Sequence, residues 1–279
     1  MAFETPILFL VFNRPDTTAQ VFAQLRTIQP KYLYVAADGP RSAKEGEDEL
    51  CTETRSIATN IDWDCELKTL FREQNHGCGK AVSEAITWFF EQVEEGIILE
   101  DDCLPEISFF KYCEVLLNRY KNEDDILHIS GNNFQFGKKR GDGDYYFSIL
   151  GFIWGWATWR RAWALYQFDL SKAAEIDHLK YQRAFGNHIE FIEYYSSIFE
   201  MMKNNAIDTW DYQWLHAIIL NNAFAVCPEI NLVENIGFGS QATHTKEKAE
   251  WNEKNISFQL TSFTPPSKKE INYDADAFA

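Results

Sequence analysis

The chain has 279 residues, 46% hydrophobic and 15% aromatic, which is enough to bury one large core or two small ones and excludes a disordered chain. Its formal net charge of −16 repels nucleic-acid backbones and anionic membranes, so a general nucleic-acid binder is excluded. Six cysteines without a CxxC pair or zinc-like spacing, no basic N-terminal stretch and no apolar run of bilayer length predict reduced thiols in a soluble, cytoplasmic protein. A nucleotide substrate stays open, because a local cation and one or two Arg can neutralise phosphates. A membrane-linked acceptor stays open as well.

Residues 6–12 are continuously apolar, as in a strand buried on both faces. Asn13-Arg14-Pro15-Asp16 ends it, and Pro15 opens a helical pattern through Val21, Phe22 and Leu25. A second strand over 32–36 stops at Asp38-Gly39-Pro40-Arg41, and the polar residues 41–60 read as loop plus helix. A third strand over 67–71 leads into Asn75-His76-Gly77-Cys78-Gly79-Lys80, a glycine-rich turn before a helix over 81–92. A fourth, over 97–99, delivers Glu100-Asp101-Asp102; a helix over 105–120 and a strand over 126–129 follow. This alternation predicts an α/β fold, a Rossmann-like, mostly parallel central sheet with helices on both faces. Ligands of such sheets sit beyond the carboxyl ends of the strands, where these loops converge.

The second half has another texture. Residues 132–144 read as a mobile loop rich in Gly, Asn and charge, and 154–163 hold four Trp around Gly155. Helices are predicted over 171–205 and 208–220, a late strand over 223–226, and a Gly-rich loop over 235–245 that includes His244. The organisation is one domain over 1–246, with a donor-binding half to about residue 131 and an acceptor and catalytic half from 132, then a peripheral polar tail over 247–279.

Each candidate has a functional reading and a bland one. Glu100-Asp101-Asp102 offers oxygen ligands for Mn²⁺ or Mg²⁺ holding a nucleotide's phosphates, or is an acidic turn capping the next helix. Gly77 to Lys80 forms a phosphate cradle or a tight strand–helix turn; P-loop and GxGxxG spacings are both absent. Arg14 pairs with a phosphate or carboxylate, or lies on the surface. Asp38 accepts hydrogen bonds from a base or ribose, or opens an Asp-Gly-Pro turn. Asp211 acts as general base on an acceptor hydroxyl, or fills N3 of a helix capped by Asp208. Trp154, Trp156 and Trp210 are sugar platforms or core. His244 is a late-arriving metal ligand or a satisfied histidine.

Taken in order, Arg14, Asp38, the 75–80 turn, Glu100-Asp101-Asp102, the aromatic–glycine segment and Trp210-Asp211 resemble the GT-A-fold glycosyltransferases. The pattern is that of the N-acetylglucosaminyltransferase I-like group and of bacterial nucleotide-diphospho-sugar transferases, over residues 5–245. The resemblance implies Asp102 as the Mn²⁺ ligand, with Glu100 and Asp101 in support. It assigns Arg14 and Asp38 to the nucleotide, Asp211 to the catalytic base and residues 151–159 to the acceptor. It also implies a closing segment, 228–240, that carries Ser240 over the donor phosphates. One departure is Trp-Asp-Tyr-Gln-Trp at 210–214, where the family has Trp-Asp-Asp-Trp. The resemblance implies an inverting transfer from a nucleotide-diphospho-sugar, UDP-GlcNAc among the candidates, to a saccharide or glycoconjugate hydroxyl. Two alternatives stay open: a sugar-nucleotide-forming nucleotidyltransferase, and a non-catalytic carbohydrate-binding protein.

Overall fold

The computed structural model describes residues 3–171, 177–186, 188–238 and 257–279. Four parallel strands form its first half: β1 (Ile7–Val11), β2 (Tyr32–Ala37), β3 (Glu66–Phe71) and β4 (Glu95–Glu100). Helices α1 (Pro15–Ile28), α2 (Glu47–Ala58) and α3 (Cys78–Phe90) connect them. β1 is buried at every position, and β3 lies at the sheet edge with its residues largely in view. The apolar run of the one and the mixed sequence of the other follow from that placement.

Then come β5 (Cys103–Pro105), α4 (Ile107–Tyr120), β6 (Ile126–Ser130), β7 (Tyr145–Ser148), β8 (Trp156–Trp159) and α5 (Arg160–Trp163). They are followed by α6 (His178–Phe185), α7 (Ile189–Lys203), α8 (Asp211–Leu220), β9 (Phe224–Pro228), β10 (Val233–Asn235) and α9 (Tyr273–Asp276). The central sheet has the order β3-β2-β1-β4-β8-β6-β9-β7, so both halves of the chain share it. β8 runs antiparallel between β4 and β6, and β7 runs antiparallel to β9. The other strands all point their carboxyl ends to one edge. The chain is an α/β fold with a large, mostly parallel sheet flanked by helices. β10 and β5 form a separate antiparallel ribbon. Among the described residues no helix is long and apolar enough to cross a membrane.

Two expectations change. The described part of the tail is not peripheral. Leu260 N donates to Ser108 Oγ at 2.9 Å, Ile271 bridges Phe147 of β7, and Ala275 is fully buried. Residues 132–144 are likewise tied down, with Asn133 Nδ2 donating to Pro228 O and Gln135 Nε2 to Ala275 O.

Candidate active site at the carboxyl edge of the sheet

β4 ends by delivering Glu100 to the edge, and Asp101 and Asp102 follow it. β1 lies beside β4 in register, with Leu10 opposite Glu100, so the residues after Val11 meet the acidic triplet. Phe12 N donates to Asp101 Oδ2 at 3.1 Å. The Arg14 guanidinium bridges Asp101 Oδ1 and Asp102 Oδ2, the latter at 2.7 Å. Asp101 is only 2% exposed, so both its oxygens are committed inside the protein. Burial works against the Arg14 charge, but Asp101 and Asp102 outweigh it and hold its pKa above the ordinary value. Burial also pushes Glu100 well up, and the Asp102 charge adds to this against the pull of Arg14.

Asp211 belongs to this constellation. Its charge is one of those that raise Glu100. Cys78, at the first turn of α3, is pushed up to about 12 by burial first and then by Glu100, Asp208 and Asp211. These groups therefore surround the start of α3, within electrostatic reach of one another and of Arg14. Asp211 opens α8 and accepts a hydrogen bond from Thr209 Oγ1, which fixes its rotamer.

Asp208 does something the sequence does not suggest. It does not cap α8, whose N-cap is Trp210. Instead its Oδ1 accepts from Gly79 N at 3.1 Å, across 129 residues of chain, and so serves the N-terminus of α3. A Cβ at Gly79 would stand 2.7 Å from both Asp208 Oδ1 and Thr209 O, so only glycine permits this approach. Gly77 borders the same carboxylate at φ +84°. The expected phosphate cradle thus holds an internal anion. Lys80 is 54% exposed along the α3 surface, 3.7 Å from Glu84.

Asp38 also differs from the expectation of a base or ribose contact. Its carboxylate accepts from the backbone N–H groups of Gly39, His76 and Gly77 at 2.9–3.2 Å. It shapes the 75–77 turn from within. Glu47 went unrecognised in the polar run 41–60. It accepts from Asn13 Nδ2 at 2.9 Å and Arg41 N at 2.7 Å and pairs with the Arg41 guanidinium, tying the loops after β1 and β2 together. Only the clustering of Asn13 and Arg41 just after two strands could have signalled it.

The aromatic candidates divide. Trp156 is 0% exposed, stacked between His128 at 5.0 Å and Trp210 at 5.6 Å, and packed on Trp214. Trp210 is buried too. Neither offers a face to an acceptor, because the central position of β8 places Trp156 in the core and Trp210, at the start of α8, stacks against it. Trp154 is partly exposed and touches Phe134 and Phe238. The segment after β10 reaches the acidic tip: Ile236 N donates to Asp102 O at 2.8 Å, and a Cβ on Gly237 would meet Asp102 Oδ2 at 2.1 Å. Ser240 and His244 lie outside the described residues.

A divalent cation at this edge would need several oxygen donors. Among the described residues no three His, Cys, Asp or Glu side chains are arranged to hold one. Yet Asp101 and Asp102 share the Arg14 guanidinium with Glu100 nearby, and Glu100 and Asp102 are hard oxygen donors. Mg²⁺-type sites are commonly made from one or two carboxylates completed by substrate phosphates. Glu100 and Asp102 fit that pattern, whereas Asp101 does not.

No protein-family model matches the chain, and no curated protein matches it. Among solved structures it is similar to a cytidylyltransferase from Leptospira borgpetersenii, with 13% identity, 72% of this chain and 74% of that chain covered, and a TM-score of 0.37. It is similar to a mannose-1-phosphate geranyltransferase from Thermus thermophilus, with 12% identity, 81% and 74% covered, and a TM-score of 0.37. A third is HddC from Yersinia pseudotuberculosis, with 8% identity, 56% and 77% covered, and a TM-score of 0.34. At these scores the likenesses carry no argument about activity. The N-acetylglucosaminyltransferase I-like pattern finds no support among them.

Proposed function

We propose that the protein is an enzyme acting on a nucleotide-sugar at the carboxyl edge of its sheet, and that it transfers the sugar to a hydroxyl acceptor. The observation that carries this reading is the Arg14 bridge between Asp101 and Asp102 at the tip of β4, with Glu100 and Asp211 within electrostatic reach. Arg14 would pair with the diphosphate once that anion competes for its guanidinium. Glu100 and Asp102 would hold Mn²⁺ or Mg²⁺, whose charge stabilises the departing diphosphate. Asp211 would take the acceptor hydroxyl proton as that oxygen bonds to the anomeric carbon and the bond to the diphosphate oxygen breaks. A positioned base of this kind supports single displacement with inversion and contributes about 10²–10⁴-fold. The proposed setting is the cytoplasm, with a saccharide or glycoconjugate acceptor.

A second reading is the formation of a sugar-nucleotide, in which a sugar phosphate oxygen attacks a nucleoside triphosphate and pyrophosphate leaves. It is favoured by the burial of Trp156 and Trp210, which leaves Trp154 alone of the expected acceptor platform but keeps the phosphate-directed residues in place. The same burial takes two of the three expected aromatic faces from a non-catalytic carbohydrate binder. One experiment separates the two enzymes. The protein is incubated with Mn²⁺ and either a panel of UDP-, GDP-, dTDP- and CDP-sugars or nucleoside triphosphates plus sugar 1-phosphates. Release of nucleoside diphosphate from the first set supports glycosyl transfer, and pyrophosphate from the second supports the alternative. Neither product, with no nucleotide-dependent thermal shift, sinks both.

A further inference from the structure

Asn132 follows β6 at the same carboxyl edge and has no part in the roles above. It is 0% exposed, and among the described residues neither its amide oxygen nor its amide nitrogen has a hydrogen-bond partner. The surrounding backbone is not loosely built. Asn133 N donates to Asn231 Oδ1 at 3.1 Å, Asn231 Nδ2 donates to Val233 O at 2.9 Å, and Gly131 N donates to Gly155 O at 2.7 Å. Buried polar groups are almost always paired. Leaving one unpaired destabilises the fold. A bound molecule that supplies both partners would account for such a residue at a ligand edge.

Trp214 Nε1 donates to His128 Nδ1 at 3.0 Å, so His128 carries its proton on Nε2 and donates to Phe152 O at 3.0 Å. Ser130 Oγ accepts from Phe152 N at 3.1 Å. Both side chains therefore face the segment leading into β8, and Asn132 lies two residues beyond Ser130, where β6 has ended. The flanking segments carry Phe134, Phe152, Trp154 and Phe238, which meet edge to face at 5.0–6.1 Å and are partly exposed.

These features select a ligand chemistry. A phosphate only accepts hydrogen bonds and would leave the amide oxygen unpaired. A hydroxyl both donates and accepts, matching the two ends of the amide. Hydroxyls on a ring with apolar faces, beside aromatic side chains, describe a pyranose. We infer that Asn132 binds hydroxyl groups of the sugar at this edge, and that the sugar enters by parting Trp154 from Phe238. The inference deepens the nucleotide-sugar reading and rests on it.

Asn132→Leu keeps the side chain's heavy-atom count and removes the amide. Because no protein partner is lost, its melting temperature should equal or exceed the wild-type value. A fall of more than about 5 °C would reveal a protein or buried-water partner and overturn the inference. By calorimetry with Mn²⁺, affinity for the preferred nucleoside diphosphate should stay within about twofold, while affinity for its glucose or N-acetylglucosamine conjugate falls about tenfold or more. Equal losses, or none, overturn it. Asn132→Ala covers the case in which leucine prevents folding, read by the same ratio of affinities. If the wild-type protein binds no nucleotide at all, the functional reading fails. Titration with free N-acetylglucosamine then decides Asn132: weaker binding by the variant supports the inference, and no difference overturns it.

Discussion

Replacing Asp211 by Asn isolates chemistry from architecture. Asn retains the oxygen that accepts from Thr209 Oγ1 and preserves the shape of the first turn of α8. Two small effects on stability oppose each other. Losing a negative charge at a helix N-terminus costs about 0.3–1 kcal/mol. Against that, Asp211 is one of several charges that crowd Glu100 and Cys78, so its neutralisation relieves repulsion. The net change should stay within about 1 kcal/mol, which for a chain of this size moves the melting temperature by about 2–4 °C at most. Turnover should fall by about 10²–10⁴, equivalent to about 2.7–5.5 kcal/mol of barrier. Affinity for the nucleotide should hold, because the side chain is assigned to the acceptor side. The assays are differential scanning fluorimetry, calorimetry with nucleoside diphosphate, and diphosphate release with saturating acceptor. Turnover within threefold of wild type, with any shift in melting temperature, would refute the general-base role. A sugar product of retained configuration would do the same.

Other expected outcomes follow from the packing and electrostatics. Trp156→Ala removes a fully buried ring from the centre of the sheet and should cost about 3–5 kcal/mol; a raised acceptor KM with an unchanged melting temperature would return Trp156 to the acceptor site. Asp102→Ala should abolish any Mn²⁺ dependence of nucleotide binding in calorimetry, and unchanged Mn²⁺-nucleotide affinity would remove it from the cation site. Burial pushes the pKa of Asp276 up to about 7, despite hydrogen bonds from Ser148 Oγ and Ile149 N. A carboxyl whose folded pKa is raised contributes stability that is full below its unfolded value, about 3.9, and lost as pH rises through about 7. Asp276→Asn should therefore flatten the fall in urea midpoint between about pH 4 and 7, and an identical pH slope in variant and wild type would exclude Asp276 as its source.

Local sequence alone placed the strands of the first half and the loops that end them. Residues such as Ile7–Val11 must be apolar throughout because both sheet faces are covered, and that demand is written in consecutive positions. The triplet at 100–102 and Arg14 were legible for the same reason, since a parallel sheet brings every post-strand loop to one edge. What the tertiary structure alone decided was which carboxylates answer to which partners. Asp208 lies three residues before Asp211 and looks like the cap of its own helix, yet it caps α3 across 129 residues. Asp38 looks ready for a ribose, yet three backbone N–H groups take its oxygens. Trp156 sits in a glycine-broken aromatic run that suits a sugar platform as well as a core. Its burial follows only from the insertion of β8, antiparallel, between β4 and β6. Such pairings depend on distances between residues far apart in the chain, and hydrophobic periodicity, which registers only neighbours, carries no record of them.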